Sequence, residues 1–419
     1  WWQRQPVATV ARLESAQWHD NRGMLRTGDK LARGRFALAS GFAALRFVRG
    51  AELLVEGPAE FELISPNRVR FRSGNVFAHV PQQAIGFTIE GPTGRVVDRG
   101  TDFGVHIGEK GMEVHVLKGL VEAGRGRALQ PLRENQAIQM SAKQINTIPA
   151  DAGRFLTNLP PKSVQPVGWV HWRLDENEGE ETHSTGAGMD GVSKPAKLLS
   201  LEGASRGPQW TNGQFGSALS FDGKDDYVQT DFSGISGSAA RTVAFWIKVP
   251  RDFEPKNGYA IVCWGSTKEL TEGWQISVNP KEDQAPLGCL RVARIGGPIL
   301  GTTDLRDDRW HHVAVVLYGS EHASVSTQVL IYIDGNLERT VRKGMLNVRT
   351  DTAGPNTRKV AFGLNIGPAN PDPSRPPAWR VFRGCLDEIF ICDSALTQQQ
   401  VRELMLRNHT QAFAGAGQH

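Results

Sequence analysis

No apolar stretch in this chain approaches the ~20 residues that a helix needs to cross a bilayer. No basic, apolar and small-residue leader opens it either. Cysteine is scarce: Cys263, Cys289, Cys385 and Cys392 all fall in the second half, without the close CxxC pairs of a zinc site. Buried thiols or one disulfide remain as readings. No run of Lys or Arg marks a nucleic-acid binder, and helical periodicity is hard to place before the last thirty residues or so. The formal charge is only +4 over 419 residues, and it is unevenly placed. Up to residue 165, 22 Lys and Arg face 15 Asp and Glu; beyond it the balance is 26 against 29. The first part could meet an acidic partner, although a mildly basic solvated surface explains the same numbers.

What is abundant is glycine, 46 residues, with 23 prolines, set between short β-forming runs. Before residue 148 these include GFAALRFVRGAELLVEGPAEFELIS, RVRFRSGNVFAHVP, IGFTIEGPTGRVVD and FGVHIGEKGMEVHVLKGLVEAG. Turn signals every 8 to 12 residues or so predict an all-β domain of consecutive antiparallel hairpins. The alternation in Glu60-Phe61-Glu62-Leu63 and in Glu113-Val114-His115-Val116 predicts one apolar face and one wet face. PADAGRFLTNLPPKSVQPVG then introduces four prolines, which predicts a semi-rigid linker. After Trp169 about ten further strand patterns predict a two-sheet sandwich or jelly roll. Asp334-Gly335 marks a hairpin within it. One helix of about three turns closes the chain, with Asp393 or Ser394 as N-cap and Val401, Leu404 and Met405 on its apolar face. The expected division is therefore 1–148, a linker over 149–167, a jelly roll over 168–408 and a tail over 409–419. The opening Trp1-Trp2-Gln3-Arg4 looks like the headgroup end of a membrane helix. A membrane anchor upstream is accordingly expected.

Several groups of residues invite a chemical reading. VVDRGTDFG, residues 96–104, contains the DFG letters of protein kinases, but the lysine strand, glycine-rich loop and HRD loop that such a site needs are missing. It also lacks the paired Asp-[Thr/Ser]-Gly of an aspartic protease. The segment reads instead as a turn: Asp98 can accept bonds from the amides that follow it, Gly100 can take positive φ, and Thr101 re-enters extended chain. In the second half Glu176, Glu178, Glu180 and Glu181 crowd one loop and Asp222, Asp225 and Asp226 another. Either could offer a general acid and base. However, the Glu-x-Asp-x-x-Glu of jelly-roll laminarinases does not occur, and Asp387-Glu388 lacks its spacing. Among the eleven tryptophans, Trp246, Trp264 and Trp310 sit in apolar strands and read as core. Trp274 and Trp379 are the candidates for an exposed indole that stacks on a sugar. His311-His312 lies on a strand, where neighbours face opposite sides, so the two cannot share a metal.

The run Gly28-Asp29-Lys30-Leu31, with GFAALRFVRGAELLVEGPAEF, SGNVFAHVP, IGFTIEGPTGRVVDRGTDFGV and EVHVLKGLVE, resembles the FecR family of periplasmic sensor and regulator domains over about 5–145. The likeness is to the form found in multidomain cell-envelope proteins of planctomycete type. HWRLDENEG, ALSFDGKDDYVQ, TVAFWIKV, RWHHVAVVL, LIYIDGNLE and GCLDEIFICDSALTQQQVREL resemble the laminin-G-like, concanavalin A-like jelly roll over about 168–408. The first resemblance implies a periplasmic or cell-surface domain that follows a membrane anchor and, in regulators, an anti-sigma segment. The second implies a module that meets a glycan or an envelope protein, and one structural calcium ion tying the first strand to the last. In that family Asp387 would supply a carboxylate, with Asp175 giving a carboxylate or carbonyl oxygen. Read without the resemblance, Asp387 caps a turn or pairs with Arg383. The expected function is non-catalytic binding or sensing, with no nucleic-acid partner. A glycoside hydrolase using jelly-roll carboxylates and a structural surface protein without a soluble ligand are the alternatives.

Overall fold

A computed structural model of the chain describes residues 5–19, 25–159, 168–201, 207–255, 260–268, 272–280, 282, 285–292, 298–319, 323–342, 347–366 and 381–408. It is built almost entirely of strands and divides into two compact units, 1–159 and 160–419.

In the first unit long strands follow one another as hairpins: Ala8–Trp18, Gly34–Phe47, Glu52–Ser65 and Arg68–His79 are successive antiparallel neighbours. Phe42, Leu45, Leu53, Phe61, Phe71 and Phe103 are buried. Burial of such a side chain contributes about 1.5 to 3 kcal/mol relative to leaving it exposed. The strand Arg68–His79 then splits the sheet into two arms. Its first residues pair with Thr88–Gly91 and its last with Asp102–Gly108. The pairing with Thr88–Gly91 is parallel, a departure from the all-antiparallel expectation. It arises because the chain crosses over between the two strands through a short 3-10 turn instead of a two-residue loop.

VVDRGTDFG connects those arms. Asp98 Oδ2 accepts the Gly100 amide at 2.7 Å, Gly100 has φ +95°, and the Thr101 hydroxyl donates to the Leu120 carbonyl at 2.5 Å. The turn reading therefore holds, with one refinement. The strand Gly94–Asp98 pairs with Thr88–Gly91 and Leu120–Arg125, whereas Asp102–Gly108 pairs with Arg68–His79 and Gly111–Lys118, so the turn passes between arms and closes no hairpin. Asp98 is fully buried there, and burial raises its carboxyl above the usual range.

The predicted wet face of Glu113-Val114-His115-Val116 is in fact covered. Residues 151–156 fold back over it: Arg154 pairs with Glu113, the Asp151 amide donates to His115 Nδ1 at 3.1 Å, and the Phe155 ring lies 5.4 Å from the His115 ring. Phe155 is 1% exposed. The first part of the proline-bearing segment is thus packed against the first unit, and the division into units, after Leu159, falls within the expected linker.

The second unit is a jelly-roll sandwich of two sheets. In one, Arg383–Cys392 pairs along one edge with Trp169–Trp172 and Ser217–Asp222, and along the other with Arg241–Lys248. Trp310–Leu317 and Val329–Ile333 follow. The other sheet orders Pro195–Ser200, Asp226–Gln229, Thr357–Phe362, Ala260–Ser266, Gly273–Val278, Leu290–Val292 and Ile299–Leu300. Glu181–Ala187 pairs into both. The core lies between the sheets and includes Trp172, Phe221, Phe245, Trp264, Trp274 and Phe362. The expected hairpin forms at Asp334-Gly335, both with positive φ. All four cysteines are free thiols.

The closing helix runs Gln398–Arg407. Its N-cap is Thr397, which forms a capping box with Gln400, and not Asp393 or Ser394. Asp393 is already committed to the strand end, where it accepts the Gly168 amide at 2.8 Å. Only Thr397 has a Gln three residues later to return the bond. Val401 and Leu404 are buried and Met405 is half-buried, as the periodicity predicts.

Candidate functional site

Asp387 and Glu388 occupy the place where the central strand of the first jelly-roll sheet changes partners. Trp172 pairs with Ile389 and Leu219 with Leu386, so Asp387 and Glu388 fall between the two neighbouring strands on that edge. On the opposite edge the register shifts between Ala244 and Trp246, and Glu388 takes φ +52°. A bulge of this kind turns two successive side chains away from simple alternation. The gap is filled by the turn at residues 213–217 and by Leu174 and Asp175.

Asp387 is 0% exposed. Its Oδ2 accepts the Phe215 amide at 3.0 Å, while Oδ1 is buried without a hydrogen-bond partner. Burial pushes its carboxyl up to about 8, and the nearby Glu388 and Asp175 charges push the same way. Asp175 reaches the same turn from the surface: its Oδ1 accepts the Ser217 amide at 3.2 Å, and its Oδ2 pairs with Arg173 at 3.0 Å. The Leu174 carbonyl accepts the Ser217 hydroxyl at 2.7 Å. Glu388 pairs with buried His171 at 2.6 Å and accepts the Asn408 side-chain amide at 2.5 Å. Arg383 does not pair with Asp387; it reaches Asp252 at 3.2 Å. The structure thus brings Asp175 and Asp387 onto one turn, with Asp387 capping that turn. It adds Glu388, weighed in the sequence only as part of a hydrolase motif, and His171, which nothing in the sequence pattern singles out.

A buried carboxylate oxygen without a donor, next to a second carboxylate and a backbone carbonyl, is a donor set suited to a hard cation such as calcium, which prefers oxygen ligands. The residues present fit such an ion on that ground. A tighter acid group lies elsewhere: ligand atoms of Asp222, Asp225 and Asp226 fall within 4.8 Å of one another. One oxygen of each is engaged in a local hydrogen bond. Asp222 accepts the Lys224 amide at 2.8 Å, Asp226 accepts the Asp222 amide at 3.0 Å, and Asp225 accepts the Ser200 hydroxyl. Burial lifts Asp226 to about 6. Glu176 is likewise spent locally, on the Thr182 hydroxyl and the His183 amide.

Trp274 does not have the exposure that a sugar platform needs. It is 1% exposed and sits directly opposite Trp264 on the neighbouring strand, with ring centroids 5.9 Å apart. The Arg241 guanidinium lies over both rings, at 5.1 Å from Trp274 and 5.8 Å from Trp264. The flanking Gly273 and Gln275 suggested exposure, but the residue lies on the inner face of its strand. Trp264 is core as expected, whereas Trp246 and Trp310 are half-buried. Trp379 lies outside the described residues.

Family comparison agrees with these two architectures. Residues 60–122 match the FecR protein model, and residues 222–402 match the concanavalin A-like lectin/glucanases superfamily model. No curated protein matches the chain. Among solved structures, domain 4 of a GH43 extracellular arabinanase from Geobacillus stearothermophilus, in complex with arabinotriose, is similar at 17% identity and TM-score 0.39, covering 57% of this chain and 99% of that one. A putative anti-sigma factor from Parabacteroides distasonis is similar at 16% identity and TM-score 0.27, covering 29% of this chain and 62% of that one. The botulinum neurotoxin serotype D binding domain is similar at 14% identity and TM-score 0.35, over 58% and 51% respectively. The chain carries a FecR-type domain followed by a laminin-G-like, concanavalin A-like jelly roll.

Proposed function

We propose that this chain is a non-catalytic sensing and binding segment of the bacterial cell envelope. In this reading the jelly roll meets a glycan or an envelope protein, and the FecR-type domain passes the event to a regulatory system of anti-sigma type. Calcium, held by Asp387 and Asp175, locks the turn at residues 213–217 to the last strand and supplies electrostatic crosslinking only. The observation that carries the reading is the Asp387 carboxyl: it is fully buried, it meets backbone amides through one oxygen, and its other oxygen has no donor. Such a group is placed to hold an ion and not to meet a solvent-borne substrate. Trp379 is the proposed stacking residue.

Two measurements test this. Calcium added to EDTA-treated protein should raise the melting temperature by several degrees, as ligand linkage requires. Asp387→Asn should melt no lower than the parent in EDTA, because burial already favours the neutral form, and should show no calcium increment. An equal increment in Asp387→Asn would remove Asp387 from the site. For the ligand, calorimetric titration against a polysaccharide panel should show binding that is lost in EDTA and weakened in Trp379→Ala. Release of reducing sugar from any member of that panel would overturn the non-catalytic reading in favour of hydrolysis.

A further inference from the structure

The register of the first unit's sheet places Arg35, Glu62, Arg70, Glu90 and Arg95 in one row across five neighbouring strands. Directly paired residues share a face, so the row alternates in charge along that face. Arg70 bonds Glu62 at 3.3 Å and Glu90 at 2.8 Å. The alternation fails at its last member. Glu90 is already taken on both oxygens, Oε1 by Arg68 at 2.6 Å and Oε2 by Arg70 at 2.8 Å. On its other side Arg95 faces Gly124, which has no side chain. Among the described residues Arg95 therefore has no ion pair, and its buried Nε has no acceptor. A buried guanidinium nitrogen without an acceptor is costly.

A second cation stands beside it. Arg125 donates Nε to the Thr93 carbonyl at 3.2 Å and Nη2 to the Gln144 carbonyl at 3.1 Å. Both acceptors are neutral, and among the described residues Arg125 forms no ion pair, so its position is held without its charge being matched. Arg70, Arg95, Arg125 and the turn Gly91-Pro92-Thr93-Gly94 line a hollow of about 510 Å³, in which Glu90 is the one carboxylate among the lining residues. We propose that this hollow binds an oxyanion, the carboxylate or phosphate group of a ligand, with Arg95 as its principal donor and Arg125 beside it. The planar guanidinium fork matches both groups bidentately, and either would supply the acceptor that the charge row leaves out.

The test uses the full chain with arginine-selective ¹⁵N labelling, titrated separately with inorganic phosphate and with acetate. The expected result is a saturable movement of the Arg95 and Arg125 Nε–H resonances in at least one titration; followed at Arg125, the affinity falls about tenfold in Arg95→Gln and less in Arg95→Lys. A response to phosphate alone assigns a phosphate-bearing ligand, a response to acetate alone a carboxylate-bearing one, and a response to both the shared chemistry. The proposal is overturned if neither anion moves Arg95 saturably, or if Arg95→Gln binds as the parent does. Should Arg95→Gln fail to fold, the parent titration and Arg95→Lys still decide.

Discussion

Arg241 carries one of the most demanding electrostatic arrangements in the second unit. Its guanidinium is 0% exposed and has no carboxylate partner among the described residues. It donates instead to the carbonyls of Ala239, Ile235, Ser236 and Gly237 and to the Thr350 hydroxyl, at 2.8 to 3.2 Å. Removal from water pulls its pKa down to about 9, and the Trp264 and Trp274 faces return part of that cost as cation–π attraction. Arg241→Met should therefore lose about 3 to 5 kcal/mol, because four carbonyls lose their donor. Denaturant unfolding followed by tryptophan fluorescence measures this, and a loss below about 1 kcal/mol would contradict the clamp.

The adjacent histidines make opposite predictions at the same scale. His311 sits between Asp334 at 2.8 Å and Asp307 at 3.1 Å, and the bond to Asp334 raises its pKa. His312 is buried against Trp246, and desolvation lowers it to about 4. A raised base stabilises the fold at low pH, and that gain disappears as pH rises through its folded pKa. A depressed base costs stability as pH falls from about 6.5 toward about 4, at about 1.4 kcal/mol per unit, because only the unfolded chain takes up the proton. His312→Phe should flatten the fall in stability below about pH 6.5, whereas His311→Phe should leave that limb unchanged and remove a loss of stability that sets in as pH rises above about 6.5. Stability curves from about pH 4 to about pH 9 would place the two effects on opposite sides of about pH 6.5.

At the scale of elements, the DFG letters acquire a packing role. A Cβ built on Gly104 would come within 2.3 Å of the Phe155 ring. The glycine thus provides the seat on which the returning segment lies, between Asp102–Gly108 and the Arg154–Glu113 pair. Salt bridge and hydrogen bonds hold Glu113 down at about 2, mainly through His115 and the Arg154 charge. Gly104→Ala should expel Phe155 and expose residues 151–156. Hydrogen exchange should then rise in that segment while the Arg68–His79 amides stay protected. Unchanged exchange at 151–156 would show that the ring can shift without leaving.

For the molecule as a whole, the division at Leu159 has a measurable consequence. A fragment ending at residue 159 should be more stable than one ending at 148 by about 2 to 4 kcal/mol, because the shorter one leaves the seat of buried Phe155 and Leu156 empty. Equal unfolding midpoints for the two would show that residues 149–159 add nothing to the first unit. The boundary at 148 followed from proline content, and proline reports only on backbone hydrogen bonding. Arg154 and Phe155 find their partners on a strand some forty residues earlier, which no local pattern encodes.

What the sequence determined by itself was, apart from the choice of Thr397 as helix cap, what depends on near neighbours along the chain. Alternation, turn chemistry and the Asp98-Arg99-Gly100 lock act over a few residues, so the all-β class, the hairpin at Asp334-Gly335 and the closing helix could be read directly. Tertiary structure alone decided which side chains see water. Trp274 looked exposed beside a glycine, yet cross-strand pairing with Trp264 and the Arg241 cation put it in the core. Asp387 became buried because a bulge and a change of strand partner meet at its position. Arg95 lacks a counter-ion because Arg68 and Arg70 occupy both oxygens of Glu90. Burial and charge compensation are sums over neighbours brought together by register, and register is fixed only when the strands meet.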